Sequence, residues 1–223
     1  MEPLAAFLAK AKGQAILKAV DALGRLGLPK AVDVLVQNLS NDATKPFWGE
    51  VCQGVARGGH VASIDRLVEI GRRVGAPARH AEGCRSGIAA LKTRQNPGEL
   101  LINIGAKRVK GAKALVFAHR PGLLKMMMVE RDATCDAPGD LGIEFELPLG
   151  RNGKPVTGQP QVPTLSQGDA DLGRGPIYFF RVDALELVDG AGIKGVVFAT
   201  HASSGKPRVV VSGAFSGQFC APK

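Results

Sequence analysis

Aromatic residues are scarce in this chain: they make up 5% of it, with a single Trp and a single Tyr. A ligand site built on stacked rings is therefore not expected, nor is the aromatic interleaving on which nucleic-acid bases stack. Long apolar runs are missing too. None reaches the ~18 residues of a bilayer-spanning helix, so no transmembrane segment is expected. The start, Met1-Glu2-Pro3-Leu4, has no basic leader, and Lys10 and Lys12 interrupt the first apolar stretch. A secretory signal is not expected from that pattern. Signature motifs are absent as well. There is no P-loop, no Gly-x-Gly-x-x-Gly between strand and helix, no His-Glu-x-x-His, no Gly-x-Ser-x-Gly and no kinase set. No cofactor is expected. Cysteine is limited to Cys52, Cys84, Cys135 and Cys220, widely spaced and with no Cys-x-x-Cys pair. Reduced thiols and a cytoplasmic location are the expectation, with a Cys52–Cys84 or Cys135–Cys220 bridge as the alternative.

Glycine is plentiful. Its 29 residues in 223 are nearly twice the usual ~7%, without the Gly-X-Y period of collagen. Hydrophobic residues reach 45% and charged residues 22%, the balance of a globular chain long enough to bury its own core. The formal charge is +9. Up to Gln95 there are 14 basic and 8 acidic residues, against 15 and 12 from Asn96 onward. A basic surface steers a protein toward acidic partners, nucleic acid or anionic lipid, and it also serves solubility alone.

Hydrophobic spacing divides the chain. Residues 3–26 read as one helix, with Pro3 in its first turn and Gly27 closing it. Pro29 opens a second, and further helices are expected over 46–56, 61–74 and 78–91. Beyond the polar break at 93–98 the period changes to two. Strands are expected at 100–104, around 115–117, at 123–129, 142–147 and 177–182, and as a last pair at 194–201 and 208–215. Asn152-Gly153 is a hairpin signal. Residues 155–176, rich in Pro and Gly, read as a long loop with an edge strand near Gln161-Val162. The expectation is an α+β chain. Residues 1–95 form an all-α bundle or a short helical-repeat stack, and residues 96–223 an all-β sandwich or partly open barrel.

Three groups of residues carry candidate chemistry. Lys107, Arg108 and Lys110, with Lys113 close behind, are the densest basic patch, expected in a turn between two strands, where such side chains contact carboxylates or phosphates. Cys135 is a candidate nucleophile, with His119 and His201 at strand ends as candidate bases. A buried, inert Cys is the plainer reading. Asp132, Asp136 and Asp140 recur four apart on a loop and could offer oxygens to a hard cation, although Asp is also an ordinary turn residue. With no catalytic signature present, the leading expectation is a non-enzymatic protein-binding or assembly module with a protein partner, favouring an acidic one. The alternatives are a hydrolase or transferase with a Cys/His site in the β-rich part, and a binder of the nucleic-acid phosphate backbone.

Overall fold

The computed structural model describes residues 2–39, 42–72, 78–139, 141–151, 164–167, 170–174, 177–201 and 205–221. The chain forms two compact units, Met1–Gln95 and Asn96–Lys223.

The first unit is a helical bundle of α1 (Glu2–Lys10), α2 (Gln14–Leu26), α3 (Pro29–Asn38), α4 (Trp48–Gly58), α5 (Ile64–Arg72) and α6 (Ala78–Gln95). Short 3₁₀ turns at Asp42–Phe47 and Val61–Ser63 lead into α4 and α5. The single helix expected over 3–26 is two helices. They break at Gly13, whose φ of 55° and ψ of −133° suit glycine alone. Gly27 closes α2 in the left-handed conformation, and Pro29 sits in the first turn of α3. The core is built from Val20 and Leu23 of α2, Val32 and Leu35 of α3, Val51 and Val55 of α4, Leu67 and Ile70 of α5, and Leu91 of α6.

Helix α4 packs against α2, α3 and α6. Glycines let it come close. A Cβ at Gly24 would lie 2.8 Å from the carbonyl oxygen of Gly54, and one at Gly83 would lie 2.7 Å from the Cα of Gly49. Cys52 of α4 and Cys84 of α6 are joined by a disulfide across the same contact, and Cys135 is joined to Cys220. The expectation of reduced thiols is thereby corrected. Folding brings partners 32 and 85 residues apart to Cα separations of 4.9 and 5.6 Å, which spacing in the sequence does not reveal.

The second unit is a curled open sheet, a half-barrel. Its strands are β1 (Leu101–Ile104), β2 (Lys107–Lys110), β3 (Lys113–Arg120), β4 (Leu123–Val129), β5 (Leu141–Pro148), β6 (Thr164–Gln167), β7 (Ala170–Arg174), β8 (Ile177–Leu185), β9 (Gly192–His201) and β10 (Val209–Cys220). β10 organises them. Along one side it pairs with β9, which pairs with β8. Along the other side β1 pairs antiparallel with residues 209–212, and β3 parallel with residues 217–220. The sheet continues from β1 to β2 and from β3 through β4, β5 and β6 to β7.

Alternation puts Ile102, Val116, Met126, Met128, Phe145, Phe180, Val197, Val211 and Phe215 on the inner face, in one core. Phe180 lies between Phe145 and Phe215, with ring centroids 5.6 and 5.8 Å away. This is the partly open barrel, not the sandwich. The stretch 155–176 holds two strands, β6 and β7, where a loop was expected. The expected strand near Gln161-Val162 and the Asn152-Gly153 hairpin lie outside the described residues.

Candidate functional site

The basic residues 107–110 are not a turn. They are strand β2, and the turn is Gly105-Ala106 before it. The apolar Val109 decides this. It pairs with Ile102 and is buried in the inner core, and that fixes the register Lys107–Ile104, Arg108–Asn103, Lys110–Leu101. β2 stands at the end of the strand order, bonded to β1.

Period-two alternation then separates the basic residues. Lys107 shares the parity of Val109, whereas Arg108 takes the opposite one. Lys107 and Arg108 are exposed. The Lys107 ammonium lies 3.5 Å from a carboxylate oxygen of Glu130, a partner that the sequence did not single out. Lys113 starts β3, opposite Val129, and is half-buried. In the helical unit the basic residues are partly engaged internally. Arg66 pairs with Glu69 and Arg85 with Glu82, while Arg25 and Arg57 both reach Asp21. Arg94 donates to the carbonyl of Arg57 at the end of α4, a favourable place for a cation.

The Cys/His candidates do not assemble on one edge. β3 runs parallel to β10 with Phe117 opposite Cys220, so His119 lies beyond the end of β10. β9 runs antiparallel with His201 opposite Val209, at the start of β10. Val209 and Cys220 are separated by about 36 Å of strand at ~3.3 Å per residue. His119 is exposed, at a bulge between Ala118 and Arg120. The sulfur of Cys135 is bonded to Cys220, and the Gln218 side-chain amide sits 3.1 Å from it. A nucleophile needs a free thiolate, so this reading goes no further.

Residues 130–139 fold over the outer face of the sheet. There Ala133 and Cys220 are buried with Leu115 and Val129, and Phe117, Met127 and Cys135 pack against them. Within this loop Asp132 and Asp136 are exposed, and Asp140 lies outside the described residues. Asp136 belongs to a tight turn in which Thr134 and Ala137 exchange backbone hydrogen bonds of 2.9 and 3.2 Å. Among the described residues no three His, Cys, Asp or Glu side chains converge as a metal site. Nor does any described helix have the length and apolarity to cross a membrane. Comparison with protein-family models, curated proteins and solved structures finds no match to this chain.

Proposed function

We propose that this chain is a non-enzymatic protein-binding or assembly module, and that it takes an acidic, extended segment of a partner protein along the edge of β2 that has no strand beside it among the described residues. The supporting observation is the place of Lys107, Arg108 and Lys110 on the terminal strand of the sheet. A strand at a sheet edge offers backbone donors and acceptors to an added strand, and its side chains select the partner's. Alternation spreads the basic side chains over both faces, so an incoming strand meets positive charge whichever way its carboxylates alternate.

The Lys107–Glu130 pair supports the acidic choice, since the chain already sets a carboxylate at this edge. Both side chains are about half exposed. Such a pair contributes about 0–1 kcal/mol, little enough for a partner's carboxylate to displace it. Lysines on edge strands have another use, which is to prevent strand addition. The two roles separate on replacing Lys107, Arg108 and Lys110 together by Ser. We expect the parent protein to bind a Glu-rich peptide of about ten residues with an affinity that falls as salt rises. The triple variant should lose most of that binding and flatten its salt dependence, with its unfolding midpoint little changed. Unchanged binding and salt slope would make these residues a device for solubility. Tighter binding of an oligonucleotide than of the peptide would favour the phosphate-backbone alternative.

A further inference from the structure

The two disulfides stand in different surroundings. Cys52 and Cys84 are both 0% exposed, enclosed between α4 and α6 where glycines bring the helices together. Cys220 is buried at the end of β10, but Cys135 is half-buried on the 130–139 loop. Three backbone hydrogen bonds close within that loop: Ala133 to Glu130, Thr134 to Ala137, and Ala137 to Thr134. Its apolar footprint on the sheet is small, with Ala133 as the buried residue beside the cysteine. At its root the Lys107–Glu130 pair is exposed. The loop covers a patch made by Leu115, Phe117, Met127 and Val129, which faces away from the inner core.

We infer that Cys135–Cys220 is an openable latch: reduction by a dithiol frees the 130–139 loop and uncovers this outer apolar patch, while Cys52–Cys84 remains closed. Exchange requires a thiolate to reach a disulfide sulfur. The half-exposed Cys135 offers one, and the helix-enclosed bridge does not. A thiolate of the dithiol forms a bond to Cys135 Sγ. The Cys135–Cys220 bond breaks, and Cys220 leaves with the electron pair and takes up a proton. The second thiolate of the reductant then attacks its own sulfur in the mixed disulfide and releases Cys135 as a thiolate, which takes up a proton from water. The reductant departs as its own disulfide, so two electrons reach the protein and two thiols result. Freed of the link, the loop retains the packing of Ala133 and the surface Lys107–Glu130 ion pair.

The folded 223-residue chain is treated with dithiothreitol, alkylated at intervals and mapped by peptide mass spectrometry, with hydrogen exchange followed in parallel. The expected result is alkylation of Cys135 and Cys220 at least tenfold faster than of Cys52 and Cys84, with faster exchange across 131–139 and unchanged exchange in α4 and α6. Reduction of both bridges at one rate would mean that they open only by global unfolding, and would overturn the latch. So would four free thiols in the untreated protein, or selective reduction that leaves exchange across 131–139 unaltered. A Cys135→Ser/Cys220→Ser variant provides a second reading, because it should show the faster exchange without reductant. A folded variant with the loop still protected would also overturn the inference.

Discussion

At Gly83 a side chain would have nowhere to go. An added Cβ would meet the Cα and carbonyl oxygen of Gly49, both at 2.7 Å, and these are backbone atoms of the facing helix. Gly71 in α5 is the counterexample, since its added Cβ would lie at an ordinary 3.6 Å from the Cβ of Cys84. Replacing Gly by Ala in a helix gains up to ~1 kcal/mol of propensity, whereas forcing packed helices apart costs about 1–3 kcal/mol. Gly83→Ala should therefore destabilise the protein, and Gly71→Ala should leave it unchanged or slightly firmer. Urea titration followed by the fluorescence of Trp48, the single Trp, reads both. An opposite order of the two midpoints would refute the close-packing account. The excess of glycine was visible in the sequence, but not this use of it. A residue without a side chain leaves no mark in hydrophobic periodicity, so Gly24, Gly54 and Gly83 gave no sign that they face other helices. The two cysteine pairs were named from the sequence only as the alternative to reduced thiols, because nothing local to Cys52 or Cys135 shows that a partner 32 or 85 residues away comes within reach.

Among the elements, β10 carries the most structure, and its sequence understated it. The apolar alternation of 208–215 was legible. The extension to Cys220 passes through Ser216, Gly217 and Gln218, which interrupt the pattern. Gly217 is needed there because an added Cβ would run into the carbonyl oxygen of Ala114 on the parallel neighbour β3. β2 was misread as a turn because three of its four residues are basic and only Val109 reports the sheet. β6 and β7 were missed because Pro and Gly surround them. Where strands were read correctly, as in β4 and β5, the inner-face residues are apolar at every second position. Phe215 on β10 tests how far the sheet depends on that face. Its partner in register is Gly195, its ring is close to that of Phe180, and it is almost fully buried. Phe215→Ala should cost about 3–5 kcal/mol, read as a loss of urea resistance in the β signal of far-UV circular dichroism. A loss below 1 kcal/mol would mean that the half-barrel interior is looser than its packing indicates.

For the whole molecule, the hydrophobic period changes near residues 93–98, and the chain forms the units Met1–Gln95 and Asn96–Lys223. α6 continues to Gln95, past the end expected at residue 91, and in the second unit Glu99 bridges to Ala214. The strand pairings all lie within the second unit, and each unit closes its own disulfide. The first spans 95 residues and the second 128, from 223 in all. Both exceed the ~60 residues at which a single core becomes marginal. A disulfide contributes roughly 3–5 kcal/mol by restricting the unfolded chain over loops of these lengths, and that contribution stays with a unit when the chain is divided. Residues 1–95 and 96–223, produced separately under oxidising conditions, should therefore each fold and each form one intramolecular disulfide. The first should give a helical circular dichroism spectrum with the emission of a shielded Trp48. The second should give a β spectrum and retain whatever binding to the Glu-rich peptide the full chain has, because Lys107, Arg108 and Lys110 belong to it. A 96–223 fragment that remains unfolded with its Cys135–Cys220 bridge formed would show that the sheet needs the helical unit to fold. A folded fragment that has lost the peptide would move the binding surface off the β2 edge.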